Sequence, residues 1–148
     1  MSMRAIAPDQ CAADIMTVMP AMMRWLRAEI RHHGQPQLSL SQLRVLYFLD
    51  RKPQSSLSEV ADYLDVTRPT MSAMIERLVL RGLVHRIDDP SERRRVLLTL
   101  TESGSAEKAR VYDAALASVA HRLGALSDQE RQHISAGLAL LSECFTDS

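Results

Sequence analysis

The stretch that decides the fold runs from Leu64 to Arg95 and reads LDVTRPTMSAMIERLVLRGLVHRIDDPSERRR. Its first half predicts a helix over about residues 67–80, because apolar side chains recur there at three- and four-residue steps. Thr67 can cap this helix, and Pro69 falls in its first turn, where a missing N–H is tolerated. Gly82 is expected to end it in a left-handed conformation. The apolar positions are Met71, Met74, Ile75 and Leu78.

The second half of the stretch predicts a β-hairpin. Residues 83–87 and 95–100 are partly alternating and rich in β-branched and other apolar side chains, and the charged, proline-containing segment 88–94 between them is typical of a turn. Upstream, Ser56 and Glu59 form a capping box that opens another short helix. Two short helices joined by a tight turn and followed by a hairpin are typical of a winged helix-turn-helix.

Longer helices flank this lobe. Helices are predicted from about 9 to 33, from 40 to before Pro53, from 102 to about 124 and from 128 to about 145. Pro20 is expected to cause a kink or a local break in the first of these near residues 16–19. The buried side of the helix predicted over 102–124 is expected to carry Tyr112, Leu116, Val119 and Leu123. The fold class is therefore mainly α with a small β-wing. We expect one structural domain in three parts, namely an N-terminal helix (1–38), a winged lobe (39–100) and C-terminal helices (101–148).

Composition narrows the class of partner. The 148 residues carry no formal net charge, but residues 68–95 hold seven arginines against four carboxylates, and residues 96–148 hold four bases against seven acids. A basic patch on a neutral chain is the expected footprint of a nucleic-acid contact. The absence of an 18-residue apolar run and of a signal pattern predicts no membrane span and a cytoplasmic location. No nucleophile elbow, phosphate loop, His-Glu-x-x-His or paired-cysteine motif occurs, so neither an enzyme nor a bound cofactor or metal is predicted.

At this point the chain resembles the MarR family of bacterial transcription regulators. The matching strings are LSQLRVL from Leu40, LSEVADYL from Leu57, LVLRGLV from Leu78 and DPSERRRVLLTLTESG from Asp89. Glu92 departs from the family pattern, which usually has Asp there. The resemblance implies a homodimer with intertwined first, fifth and sixth helices, bound to a near-palindromic operator and acting as a repressor. A lone 39–100 lobe would also leave the apolar faces of those helices uncovered, which independently favours a dimer.

Side chains opposite the buried stripe of the 67–80 helix are candidates for the major groove. Arg68 can donate two hydrogen bonds to a guanine edge, and Arg77, further along, is placed to hold phosphate. Small and hydroxyl side chains between them can contact bases, phosphates or thymine methyl groups. These candidates are Pro69, Thr70, Ser72 and Ala73.

The wing, residues 88–95, supplies further candidates. Arg94 matches the family arginine that enters the minor groove, where narrow A·T-rich segments concentrate negative potential. Arg93 and Arg95 are candidates for phosphate contacts or for pairing with Glu92. Hydroxyl groups at helix starts also suit phosphates, and those candidates are Ser39, Ser56 and Ser58.

A regulator also needs an input. The resemblance implies a small aromatic or phenolic effector between the dimer helices and the winged lobe. Charge, stacking and hydrogen bonds there could come from Arg24, Trp25, His32, Arg44 and Tyr47.

Other interpretations stay open. Cys11 could form a redox-sensing disulfide with Cys144 of a second copy, or His32, His33 and His121 could help to bind zinc. A winged helix that binds protein instead of DNA is the competing class, and it is favoured if the acidic C-terminal half neutralises the arginine patch in a dimer.

Overall fold

The computed structural model describes residues 4–34, 38–92 and 94–146. Within these ranges six α-helices and three strands follow in the order α1 (Pro8–His33), α2 (Leu40–Arg51), β1 (Ser55–Ser56), α3 (Leu57–Leu64), α4 (Arg68–Leu80), β2 (Val84–Asp88), β3 (Val96–Leu100), α5 (Glu102–Leu123) and α6 (Asp128–Phe145). The strands form one antiparallel sheet in the order β1-β3-β2. The predicted class, mainly α with a small β-wing, is confirmed. The chain divides into two compact units, Met1–Ala115 and Leu116–Ser148.

The predicted helix starts are confirmed by their caps. Ser39, Ser56 and Ser127 each accept a hydrogen bond from the third helical N–H, and Gln42, Glu59 and Glu130 respectively accept one from the capping residue's N–H. Thr67 caps α4 by accepting from the N–H of Thr70, and Thr101 caps α5 by accepting from that of Gly104 at 2.9 Å. Each cap satisfies donors that a helix start leaves without partners.

The core of the first unit lies where α2, α3 and α4 meet the sheet. It buries Val45 and Leu46 of α2, Val60 of α3 and Leu98 of β3, and α4 contributes buried side chains at steps of four and three residues, about one helical turn each. Those α4 residues are Met71, Ile75 and Leu78. This single apolar stripe fixes the rotation of α4 and so leaves its polar face outward.

Strand β1 was not predicted. Ser55 and Ser56 pair with Leu98 and Leu97 on the edge of the hairpin. Ser55 is buried, and its hydroxyl donates to the carbonyl of Lys52 at 2.7 Å. Two serines carry no β signal, and the pairing comes from the position of β3.

Of the kink or local break predicted near residues 16–19, the break is absent, because the helix α1 is continuous across Pro20. A kink there stays a prediction. A proline removes only one backbone donor. In a 26-residue helix the turns on either side keep their own hydrogen bonds.

The prediction for the buried side of α5 was wrong. Tyr112 and Leu116 are 39% and 54% exposed, and the buried positions are instead Gly104, Val111 and Ala115. Small side chains let the start of α5 approach the chain at Leu83 closely, and a Cβ added to Gly104 would collide with the Leu83 carbonyl. At Gly104, therefore, close approach of the Leu83 backbone requires a residue without a side chain.

In the second unit, no described residue of α6 is buried. The turn before α6 is closed by Arg131, whose guanidinium donates to the carbonyl of Leu126 at 2.5 Å and pairs with Asp128. Ile134, Leu138 and Phe145 lie exposed at helical spacing.

Candidate nucleic-acid interface

The polar face of α4 is the first part of the site. Every predicted contact residue on this helix is exposed, and the buried stripe lies on the other side. These residues are Arg68, Pro69, Thr70, Ser72, Ala73 and Arg77. The N-terminal turn is ordered by a second bond in addition to the cap, because the Thr67 hydroxyl donates to the Thr70 hydroxyl at 2.9 Å. Arg68 and Pro69 therefore project from a fixed first turn.

The wing is the second part. Its strands pair from Val84–Leu100 to Asp88–Val96, and its tip is closed by a backbone hydrogen bond from the Asp89 N–H to the Arg95 carbonyl at 2.9 Å. The N–H and hydroxyl of Ser91 donate to Asp89 at 2.9 and 2.7 Å. These bonds, the hydroxyl first, hold the pKa of the Asp89 carboxyl below its ordinary value. The tip is thus a hydrogen-bonded turn with an exposed Arg94.

An ion-pair chain anchors the base of the wing to α3. Arg95 Nη2 lies 3.0 Å from Glu59 Oε1, and Lys52 Nζ lies 2.7 Å from Glu59 Oε2. Glu59 Oε1 also accepts from the N–H and hydroxyl of Ser56. The hydrogen bond from Lys52 is the largest of several effects that lower the pKa of Glu59 from 4.5 to about 2. The carboxylate is therefore ionised throughout the neutral range.

Arg95 does not pair with Glu92 through its side chain, as one reading of the sequence expected. Its guanidinium is directed to Glu59 and, at 3.8 Å, to Asp89, while its backbone N–H donates to the Glu92 carbonyl. The predicted contact at Arg93 lies outside the described residues. Sequence reasoning missed Lys52 and the long-range role of Glu59, which it used only as a cap. Nothing local signals a pair 36 residues apart.

The serine candidates divide by their hydrogen bonding. The hydroxyls of Ser39 and Ser56 accept the N–H groups of Gln42 and Glu59, so they serve the starts of α2 and α3. Ser58 is half-buried within the first turn of α3. Their position at helix N-termini is as expected, and a phosphate contact at any of them stays a prediction.

The effector candidates lie in different surroundings. Arg24 lines a cleft of about 400 Å³ with Arg27 and Arg31 of α1 and the start of α2. Tyr47 lines a second cleft of about 320 Å³, between α2 and α3. Arg44 lies over the ring of Tyr63 at 5.4 Å, and the ring of His32 meets that of His33 edge-on. Trp25 is half-buried. Arg24 and Tyr47 thus line two different clefts.

The two cysteines considered for a redox-sensing disulfide, Cys11 and Cys144, are both exposed free thiols. Within the described ranges, no group of three or more His, Cys, Asp or Glu side chains is placed to hold a metal ion. No described helix combines the length and apolar character needed to cross a membrane.

The chain is similar in sequence and in structure to known transcription regulators. Residues 37–95 match the model of the MarR family. The chain is 28% identical over 139 residues to the transcriptional repressor MdtR of Bacillus subtilis (strain 168), which covers 91% of this chain and 90% of MdtR. It is 27% identical to the repressor CouR solved with a 23-mer DNA duplex, with a TM-score of 0.74 over 94% of this chain and 99% of that one.

A cysteine-to-serine variant of MarR from E. coli shares the fold, with 22% identity, a TM-score of 0.80 and coverage of 93% of this chain and 98% of that one. These proteins are transcription regulators, not enzymes. Residues 37–95 thus match the MarR family, and the chain over most of its length is similar to winged helix-turn-helix transcription regulators of that family.

Proposed function

We propose that this regulator is a homodimeric repressor that reads a near-palindromic operator and leaves it when a small effector binds. In this proposal α4 enters the major groove and the wing, residues 88–95, enters the adjacent minor groove. The observation that carries it is the exposed polar face of α4, held outward by the buried stripe of Met71, Ile75 and Leu78.

The chemistry of α4 suits base recognition. Arg68 stands at the first helical position and can donate two hydrogen bonds to a guanine edge. Thr70 and Ser72 offer hydroxyls, and Pro69 and Ala73 offer small apolar surfaces for thymine methyl groups. Arg77, two turns further along, holds a phosphate and fixes the register of the helix on DNA.

The wing contributes charge. Arg94 is exposed at the hairpin tip and enters a narrow minor groove, where the negative potential is strongest. Arg95, which is tied to Glu59, positions the hairpin and leaves its remaining donors for phosphate. Arg93 is a further phosphate contact in this proposal.

Dimerisation is supported by apolar faces that the single chain leaves exposed. On α1, Met16 is 76% exposed and Met22 is 53% exposed, and on α6, Leu138 is 53% and Phe145 is 77% exposed. Monomeric proteins rarely keep contiguous apolar surface of this kind in water. A second copy covers these faces, and two-fold symmetry then places two α4 helices about one DNA turn apart.

The proposal also includes release from DNA by a small effector. The five candidate side chains from α1 and α2 offer cations, rings and hydrogen-bond groups suited to an aromatic or phenolic compound. They are Arg24, Trp25, His32, Arg44 and Tyr47.

The test of the whole proposal is DNA binding by the full chain. The DNA upstream of its own coding region, labelled with fluorescein, is titrated with protein at fixed salt, alongside a scrambled duplex of equal length. The proposal expects about 10³-fold or greater preference for the upstream DNA. Equal, weak affinity for both duplexes contradicts it, and no affinity for either favours a protein-binding winged helix.

A further inference from the structure

The outward side of α4 carries a carboxylate that the proposed base contacts do not include. Glu76 is exposed and lies one helical turn beyond Ala73, on the side turned away from the buried Met71 and Leu78. We propose that Glu76 is a specificity-determining residue that accepts a hydrogen bond from the N4 amino group of a cytosine in the major groove. This inference rests on the proposed function, because it requires α4 to lie in that groove.

The position of Glu76 on α4 is the first argument. Residues three, four and seven apart share one side of an α-helix, so Pro69, Ala73 and Glu76 form a single outward stripe. Arg68 and Arg77 lie on either side of this stripe, because each residue turns the helix by about 100°. Glu76 follows Arg68 by about 12 Å along the helix axis. That distance is well short of the roughly 34 Å between half-sites, so both side chains are directed at the same half-site.

Charge is the second argument. Among the residues that the structure describes, no side chain forms a hydrogen bond or an ion pair with the Glu76 carboxylate, and the neighbouring Arg77 forms no salt bridge with it. An acid on this face is repelled by the DNA phosphates, which weakens binding to every sequence. A hydrogen-bond donor on a base edge offsets this repulsion, and it does so only where the right base is present.

The donors of the major groove narrow the choice to one base. Only cytosine N4 and adenine N6 offer N–H groups there. Adenine places its N7 acceptor beside N6, which repels a carboxylate, whereas cytosine has no acceptor on its own major-groove edge. Glu76 is therefore complementary to cytosine, as the guanidinium of Arg68 is to guanine. At guanine or thymine the carboxylate meets an acceptor oxygen, so it also acts against the wrong sequences.

The test is selection of bound duplexes from a randomised DNA pool by the full chain, with sequencing of the bound fraction. The unaltered chain should select a cytosine at one position of each half-site, by about 5- to 150-fold over the other bases. Glu76→Ala should lose the preference at that position alone. Glu76→Gln should shift it from cytosine to adenine, because an amide can donate to N7 and accept from N6. Asp62→Asn, which removes an exposed carboxylate from α3 instead, should leave the selected sequence unchanged.

Affinity for a scrambled duplex supplies a second measurement, in which the effect has the opposite direction. Glu76→Ala should bind scrambled DNA about two- to fivefold more tightly, because a charge that the phosphates repel is removed. The inference is overturned if Glu76→Ala and Glu76→Gln select the same sequence as the unaltered chain. It is also overturned if Glu76→Ala weakens the preference at every position and lowers the affinity for scrambled DNA, since the residue then acts through the fold.

The selection also separates this inference from the proposed function. An unaltered chain that selects no sequence refutes both. An unaltered chain that selects a near-palindrome, which the two Glu76 variants select equally, refutes only the role of Glu76.

Discussion

Arg95 and Glu59 are joined by an ion pair of 3.0 Å that ties the base of the wing to the first turn of α3. The same carboxylate holds Lys52 and the cap of Ser56. Because α3 packs directly against α4, this pair fixes the wing relative to the helix that we propose for the major groove.

Loss of that carboxylate should weaken operator binding without unfolding the chain. Glu59→Gln keeps the cap geometry but removes the charge that holds Arg95. We expect about a three- to tenfold loss of operator affinity, since a partly exposed pair contributes roughly 0.5–1.5 kcal/mol. Fluorescence anisotropy measures the affinity and circular dichroism checks the fold.

A matched control separates the wing from the cap. Lys52→Gln also removes a partner of Glu59 but leaves Arg95 in place. It should have the smaller effect on DNA, and a larger effect than that of Glu59→Gln would disprove the wing anchor.

The ion pairs of Glu59 should also make the stability of the chain depend on pH. Glu59 has a pKa of about 2 when folded, against 4.5 as its ordinary value. Between these values the unfolded chain binds more protons, so the group's contribution is complete above pH 4.5 and falls as the pH drops towards 2. Urea titrations from pH 6 to about 3 should show a shallower loss for Glu59→Gln than for the unaltered chain. If the stability of both chains falls in parallel with pH, the Glu59 carboxylate contributes no stability to the folded chain.

Gly104 should be intolerant of a side chain. Gly104→Ala places a methyl group against the Leu83 carbonyl, so we expect destabilisation of roughly 1–3 kcal/mol as α5 is pushed from the hairpin. Gly137→Ala in α6 is the control, because among the described residues no atom beyond its chain neighbours and the adjacent backbone of α6 lies within 4 Å of its added Cβ. That change should be neutral or stabilising by about 0.5–1 kcal/mol. Thermal unfolding compares the two, and equal effects would contradict the close packing at Leu83.

Substitutions of Arg94 and of Arg68 should have different effects on DNA binding. Arg94→Ala is expected to lower affinity for every sequence and to reduce the slope of log K against log salt by about 1. Arg68→Ala should also relax sequence choice, by about 1–3 kcal/mol at one base pair. Titrations on operator and scrambled duplexes at several salt concentrations separate these outcomes. Unchanged affinity in both variants would remove α4 and the wing from the interface.

The exposed face of α6 should prove to be a dimer contact. Leu138→Glu introduces a charge among side chains that include Ile134 and Phe145. We expect a shift to monomer in sedimentation equilibrium and a loss of operator binding. Ala136→Glu, about half a turn away from Leu138 on the same helix, should leave the mass of the dimer unchanged. A Leu138→Glu chain that sediments as the unaltered one does would exclude this face from the interface.

Much of the fold could be predicted because its signals are local. A hydroxyl at Ser39, Ser56, Thr67 or Ser127 accepts from an N–H group three residues further along, so these four helix starts could be predicted from the sequence. The stripe of Met71, Ile75 and Leu78 likewise follows from periodicity along one helix.

The features that were predicted wrongly or not at all depend on contacts between residues far apart in the sequence. The buried side of α5 was assigned to Tyr112 and Leu116, but the structure buries Gly104, Val111 and Ala115, and the backbone at Leu83 approaches Gly104 closely. Ser55 pairs as a strand only because Leu98 offers it an edge. The joining of Arg95 to Glu59, and of Tyr47 to Tyr112, comes from packing between elements and has no signature in local spacing.

Hydroxyl-radical footprinting of the full chain on its upstream DNA tests the central claim most directly. Two α4 helices related by two-fold symmetry should protect two sites about 10 base pairs apart, flanked by minor-groove protection from each wing. Arg94→Ala should remove the flanking protection and keep the inner pair. A single protected site, or none at protein concentrations that saturate the anisotropy signal, would contradict the paired reading of DNA proposed for α4.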